Sequence, residues 1–390
     1  MDYDQPHLKT SEYFEFTPGA PHYSVTELSL TNLSSSPLST SGSSISTRPQ
    51  FHELPLQPHH PKGSAWGLWG AHDERGTLNL LSEDVVRAAG MEVLDGKVVS
   101  LNLPIDVPLK PMNPRRKKCS HTIIAKGHAN DDEIDFNTQS SSHWDGLRHF
   151  PYSDSKIFYN GVTQDDISGP DANTKIGIQS QSTLRIIPPI LTDTISADLA
   201  TKPIVSRGVL LDWYSYAQRE GLQTSPFTNQ AIPLSHLENI ATEQGITFNQ
   251  GDVLLIRTGW TAAYHQLSEG EKENLGGRDD RASCGVEATE ESIRWHWEQG
   301  FAAVASDTVA YEAWPSPKTW GVSMHEASFQ LKKIFAVFLS GWGMPIGECW
   351  DLEELSRTCQ ALGRWTFMLT SQPLNVPGGV ASPANATAIF

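Results

Sequence analysis

The chain has 390 residues, 38% of them hydrophobic, and a formal net charge of −16. That length suits one large domain or two ordinary ones, and the acidic balance gives no electrostatic basis for binding nucleic acid or an anionic membrane surface. No apolar run approaches the roughly 20 residues that span a bilayer, the N-terminus lacks a signal-peptide layout, and four scattered cysteines (Cys119, Cys284, Cys349, Cys359) fit reduced thiols in a cytoplasmic protein.

In chain order, residues 1–60 read as a flexible, low-complexity extension. Their Ser/Thr-rich stretch Ser34–Arg48 buries too little apolar surface to offset its ordering entropy. Residues 61–390 are expected to form a single α/β (α+β) domain that opens at "SAWGLWGAHDERGTLNLL" (Ser64–Leu81). The basic run Arg115-Arg116-Lys117-Lys118, after Pro111 and Pro114, reads as a solvated loop rather than a nuclear-localisation patch. Arg207–Trp213 and Gly251–Trp260 are short apolar runs bounded by glycine, the pattern of buried strands. Between them, Ser235-His236-Leu237-Glu238 has the pattern of a capping box opening a helix that Gly245 closes. Ala288–Gly300 predicts a helix with an acidic first turn, and Phe301–Asp307 the strand after it.

The stretch "QSSSHWDGLRHF" (Gln139–Phe150) packs His143, Asp145 and His149 into seven positions. In extended backbone, alternate residues share a face with Cα atoms about 6.5–7 Å apart, so His143 and Asp145 can converge on one ion. His149 follows Gly146, which permits a sharp bend, and can fold over the same ion or sit beside it. Imidazole plus carboxylate suits zinc, manganese or iron; a surface turn with incidental histidines is the competing explanation. "GVSMHEA" offers His325 and "GWGMPIGECWDLEEL" offers Glu348. The pair is able to complete a mononuclear or dinuclear site, against the alternatives that His325 packs and Glu348 caps the following helix. No nucleophile-elbow, Walker A, HExxH or dinucleotide-binding pattern is present.

These residues resemble the hallmark of the cyclase family of metal-dependent hydrolases, which includes kynurenine formamidase and isatin hydrolase. The hallmark H-x-G-T-H-x-D-x-P-x-H is matched from its second histidine onward in the spacing of His143, Asp145 and His149, with Gln139 in the place of the first histidine and Gly-Leu-Arg where x-Pro-x would lie. "RGVLLD", "GDVLLIRTGW", "GMPIGECWDLEEL" and "PLNVPGGVASPANATAIF" also look like the fungal branch of that family, so the resemblance runs from about Trp66 to the C-terminus. It implies a swivelling β/β/α-type fold with a central, mostly antiparallel β-barrel-like core surrounded by helices, assembled as a homodimer or larger homo-oligomer. By the same resemblance His143, Asp145, His325, Glu348 and the substituted Gln139 correspond to ligands of a divalent metal, zinc or manganese first. His149 corresponds to the general acid/base. One departure matters: relatives separate the distal histidine and glutamate by about a dozen residues, whereas His325 and Glu348 are 23 positions apart. "SFQLKKIFAV" (residues 328–337) is the apparent insertion.

The implied reaction is arylformamidase-like, as in tryptophan catabolism: hydrolysis of an amide, formamide or lactam C–N bond in a small, aromatic substrate. A divalent ion lowers the pKa of bound water from ~15.7 toward ~7. His149, with an ordinary imidazole pKa near ~6.5, is suited to take that water's proton and pass it to the leaving amine. Trp66, Trp69 and Trp144 are candidates to line an aromatic pocket, set against a role for each in the core. Two other readings stay open. HxD plus a distant histidine is also the facial triad of a non-haem iron oxygenase, and Gln139 with the insertion also fits a degenerate, non-catalytic member that binds a ligand.

Overall fold

Short aliphatic runs, buried along their whole length, form the middle of the molecule. The structure, a computed structural model, describes residues 48–152, 155–180, 202–315 and 336–390. Its strands are β1 (Val98–Ser100), β2 (Ser120–Ala125), β3 (Asn130–Asp135), β4 (His143–Asp145), β5 (Ile204–Leu211), β6 (Ala231–Ile232), β7 (Val253–Ile256), β8 (Gly285–Val286), β9 (Ala303–Ser306), β10 (Ile346–Glu348), β11 (Thr366–Ser371), β12 (Ala381–Pro383) and β13 (Ala386–Ile389). The helices are α1 (Glu83–Gly90), α2 (Gln164–Ser168), α3 (Trp213–Arg219), α4 (Leu234–Glu243), α5 (Trp260–Gln266), α6 (Glu269–Gly276), α7 (Glu290–Gln299) and α8 (Glu353–Leu362). A π-helical stretch, Ala336–Trp342, precedes β10. It contains Ala336 and Val337, the part of the expected insertion that falls among the described residues; His325 lies outside them.

Nine strands form one mixed, curled sheet in the order β1-β13-β11-β5-β7-β9-β10-β4-β12. β5, β7, β9 and β10 run parallel at its centre. Antiparallel pairs flank them on both sides. The antiparallel pairings are the majority, as the resemblance implied, while the parallel centre with helices beside it makes the domain α/β. Strand alternation divides the core in two. Leu211, Leu254, Ile256 and Val304 pack with Trp213, Leu237, Ile240 and Trp297, whereas Leu210, Val253, Leu255, Ala303 and Ala305 pack with Phe367, Leu369 and Phe390. β2 and β3 make a separate, exposed hairpin. Among the described residues no helix is long and apolar enough to cross a membrane.

The three strands expected between Arg207 and Asp307 are β5, β7 and β9. α7 follows its sequence signals closely: Thr289 accepts from the Ser292 N–H, two acids open the first turn, and Gly300 ends the helix in the left-handed region. α4 starts differently. It begins at Leu234 after Pro233, with no side-chain cap, so the Ser235–Glu238 capping box is not formed. Proline brings a φ already suited to helix entry, and Glu287 Oε1 accepts the Leu234 N–H at 2.8 Å. Packing also begins earlier than residue 61. Leu54 is buried in the first core with Phe51 and Leu56 against it, and Trp297 Nε1 donates to the Pro49 carbonyl at 2.8 Å. The compact unit therefore spans Pro49–Phe390; a composition averaged over residues 1–60 hides the apolar groups at its end.

A buried ion-pair node ties the central sheet to the helix that follows the site strand. Arg257, just after β7, donates through Nε and Nη2 to the two Glu353 carboxylate oxygens, each at 2.8 Å. Its Nη1 donates to Asp212 Oδ1 at 2.9 Å. Glu353 opens α8 and Asp212 caps α3. Removing one partner of a buried pair leaves an uncompensated charge, so Arg257→Met is expected to cost about 3–5 kcal/mol. Urea unfolding measures this as a lower midpoint at unchanged slope; a midpoint equal to the wild type would remove the node from the fold's supports.

Candidate metal centre

β4 is three residues long and lies between β10 and β12. Strand alternation sends Trp144 to one face and His143 with Asp145 to the other. Trp144 is fully buried edge-on against Trp350, with ring centroids 4.8 Å apart, and its Nε1 donates to Ser371 Oγ at 2.8 Å. It takes the core role, not a place in a pocket. On the opposite face, the antiparallel register sets Glu348 of β10 directly across from His143. Glu348 does not cap α8; Asp351 Oδ1 accepts the Glu353 N–H instead.

These three side chains are buried, and their donor atoms lie within 4.8 Å of one another. His143 Nδ1 lies 2.7 Å from the Ser141 carbonyl oxygen. A carbonyl only accepts, so the proton of the neutral imidazole sits on Nδ1 and Nε2 presents a lone pair. That lone pair faces Asp145 Oδ1 at 3.3 Å and Glu348 Oε2 at 3.4 Å. Three acceptors thus point at one another in a buried place, and neither His143 Nε2 nor Asp145 Oδ2 has a hydrogen-bond partner. One imidazole nitrogen and two carboxylate oxygens left in this state fit a divalent cation, with zinc and manganese both compatible. The Ser141 carbonyl supplies the outer contact that orients a ligating histidine.

The turn after β4 brings His149 back to this face. The His149 N–H donates to the Gly146 carbonyl at 2.9 Å, and a Cβ on Gly146 would lie 2.8 Å from both Ile178 Cδ1 and the Val380 carbonyl, so glycine is required there. Arg148 fastens the turn by donating to the carbonyls of Lys175, Gly378 and Asn173. His149 Nε2 ends 3.5 Å from Asp145 Oδ2. Gln139, expected as a metal ligand, presents its amide nitrogen, which donates to Asp145 Oδ1 at 2.6 Å. An amide N–H has no lone pair to give a cation, so Gln139 holds a ligand carboxylate rather than adding a ligand. The same nitrogen lies 3.2 and 3.4 Å from the two ring nitrogens of His149. That seats the ring without fixing its tautomer.

A cavity of about 260 Å³ opens onto the group, with Gln139, His149, Glu348 and Cys349 on its lining. Met112, Phe150, Val309 and Trp314 supply apolar wall, and Arg116 and Arg281 the positive charge. Trp66 and Trp69 are not part of this lining: the Trp66 Nε1 donates to the Ser340 carbonyl at 2.6 Å, and Trp69 packs partly buried against the two main cores. Arg116 corrects the sequence reading of its basic run. Its Nη1 donates to the Gln139 carbonyl at 2.9 Å because the turn begun by Asn113 faces this one member of the run inward.

A family model named Cyclase, described as "Putative cyclase", matches residues 55–313. The chain belongs to this cyclase family. A crystal structure described as that of a novel cyclase aligns with a TM-score of 0.66 at 29% identity, covering 84% of this chain and 99% of its own. Isatin hydrolase A from Ralstonia solanacearum aligns at 0.49 with 15% identity, over 79% of this chain and 98% of that one. An isatin hydrolase bound to the product analogue thioisatinate aligns at 0.48 with 12% identity, over 80% and 99%. No curated protein sequence matches the chain.

In this cyclase-family chain the three grouped side chains set one another's charge. Burial alone would lower the His143 pKa, but Asp145 and Glu348 outweigh it and push it up to about 9. Burial raises Glu348, and the Asp145 charge adds to it, to about 7. Burial opposes the charge of Asp145 too, yet His149 and His143 hold its carboxyl below the ordinary range. For His143 and Glu348 the folded pKa lies above the ordinary 6.5 and 4.5. Protonation therefore stabilises the cation-free fold, and that stabilisation is lost as pH rises through about 7 and then about 9. A cation takes the place of these protons. Thermal melts of chelator-treated protein are expected to fall between about pH 5 and 9, while the stabilisation added by zinc grows over the same window. A zinc effect that ignores pH would take His143 and Glu348 out of the site.

Proposed function

We propose that this chain is a metal-dependent hydrolase that cleaves an amide, formamide or lactam C–N bond in a small, flat molecule. The observation that supports this most directly is the unpartnered His143 Nε2, buried against Asp145 and Glu348, the latter on the lining of a cavity. His143, Asp145 and Glu348 would hold the cation. A divalent ion there supplies Lewis-acid polarisation of a carbonyl and lowers the pKa of water.

The chain's own residues do the rest. Burial lowers the His149 pKa, opposed by the Asp145 charge, so its imidazole is neutral near pH 7. In that form its unprotonated ring nitrogen takes the proton of the attacking water, and as imidazolium it hands that proton to the leaving nitrogen. Asp145 Oδ2 beside it steadies the transient imidazolium. Gln139 keeps Asp145 and His149 in register, and the apolar wall at Met112, Phe150 and Trp314 excludes water from the substrate body. The iron-oxygenase reading needs two histidines and one carboxylate; the described group has one histidine and two carboxylates, and His325 lies outside the described residues.

Elemental analysis of the purified protein, coupled to a hydrolysis screen of N-formylkynurenine, isatin and related lactams, tests the proposal. His149→Ala is expected to lower turnover by about 10²–10⁴-fold with metal content retained, whereas His143→Ala loses the metal. Full turnover in chelator-treated protein, or in the His149 variant, would refute the assignment.

A further inference from the structure

The cavity carries two guanidinium groups that the hydrolytic chemistry leaves unused. Elsewhere in the fold, arginines that are buried or half-buried have fixed partners. Arg207 pairs with Asp252, Arg257 with Asp212 and Glu353, Arg364 with Asp95, and Arg148 spends its donors on three carbonyls. Arg116 and Arg281 are both half-buried and both line the cavity. Among the described residues neither forms an ion pair, and the single hydrogen bond of Arg116 goes to the Gln139 carbonyl. Two carboxylates share the lining: Glu348, which faces His143, and Glu312, which is fully buried and has interactions of its own.

The backbone spends conformational freedom to present Arg281. Its φ is +46°, a left-handed setting that disfavours a side chain with a Cβ. The next residues are pinned by reciprocal hydrogen bonds between Ser283 and Trp314, 2.8 and 2.9 Å, which set Arg281 beside the Trp314 wall. A guanidinium that desolvates in a cavity without a carboxylate partner is costly unless a ligand supplies the anion.

Resting on the hydrolase reading, we infer that the cavity selects substrates bearing a carboxylate, received by Arg116 and Arg281 while the flat body lies against Trp314 and Phe150. A planar fork that donates two parallel N–H groups matches a carboxylate. A singly charged group suits this site better than a phosphate, because the Glu348 carboxylate on the same lining repels a second negative charge.

Two probes that differ by one carboxylate test this: N-acetylanthranilate and acetanilide, titrated calorimetrically into the full-length, zinc-loaded protein. The anionic probe is expected to bind at least about tenfold more tightly and to weaken as salt rises. Arg116→Gln and Arg281→Gln should each lower its affinity about tenfold and narrow the gap between the probes; Arg281→Lys, which keeps the charge, should retain part of it. Equal affinity for the two probes in the wild type, no binding of the anionic probe, or an unchanged preference in both Gln variants would overturn the inference. The measurement is binding, so the two readings fail separately. Protein that prefers the anionic probe yet cleaves no amide sinks the hydrolase proposal alone, and protein that cleaves amides without the preference sinks this one alone.

Discussion

A buried imidazole nitrogen and two carboxylates face one another across the β4–β10 pair, and much of the surrounding structure serves to hold them there. Left to themselves, three acceptors would separate or take up protons. They stay together because each sits on a strand that cannot move. β10 is bound to β9 on its other side, and β4 is bound to β12. Behind the site, Trp144 and Trp350 stack edge to face and fill the space through which β4 would shift. Ser142 Oγ accepts the Leu103 N–H and donates to the Cys349 carbonyl, tying both ligand strands to a third segment. Glycine at 347 lets β10 lie close to Ala305 and Trp350, where a Cβ would come within 2.6 Å of the first and 2.8 Å of the second. A rigid frame around mutually repelling groups is what a cation site requires, since the frame keeps the donor atoms near one another before the ion arrives.

Charge in and around the cavity follows from that arrangement. The lining carries buried acid, the walls are partly apolar, and among the described residues the two arginines form no ion pair, on a chain whose net charge is −16. Arg116 links these parts. It is bonded to the Gln139 backbone, and its charge lowers the pKa of Asp145, Glu348 and His149. The Gln139 side chain in turn holds Asp145 and seats His149. One short loop therefore couples the position of His149 to that of Asp145.

Much of this was legible in the residues. Alternation along His143-Trp144-Asp145 already separates the two polar side chains from the tryptophan, and that is why Trp144 belongs to the core and not to a pocket. Gly146 signalled the turn that returns His149, and apolar runs bounded by glycine marked β5 and β7. Other features had no local signal. Arg116 sits in a run of four basic residues, three of them exposed, and charge alone does not say which one turns inward. Arg281 and Trp314 meet at the cavity through backbone pairing of Ser283 with Trp314, 31 positions apart, which no periodicity records. The capping pattern at Ser235 misled because a preceding proline and a remote glutamate supplied a better start.

By itself the sequence determined the elements and the kind of chemistry: strand and helix periods, an HxD segment with a bendable turn, and a resemblance to a family of metal-dependent hydrolases. Those properties depend on neighbours within a few positions, where alternation, turn residues and side-chain type act directly. The tertiary structure alone decided that Glu348 faces His143, that Gln139 turns its amide nitrogen to Asp145, and that two arginines enter the cavity. These depend on strand register and on contacts between segments distant in the chain. A one-residue slip of β10 would send Glu348 to the opposite face with no change in local propensity.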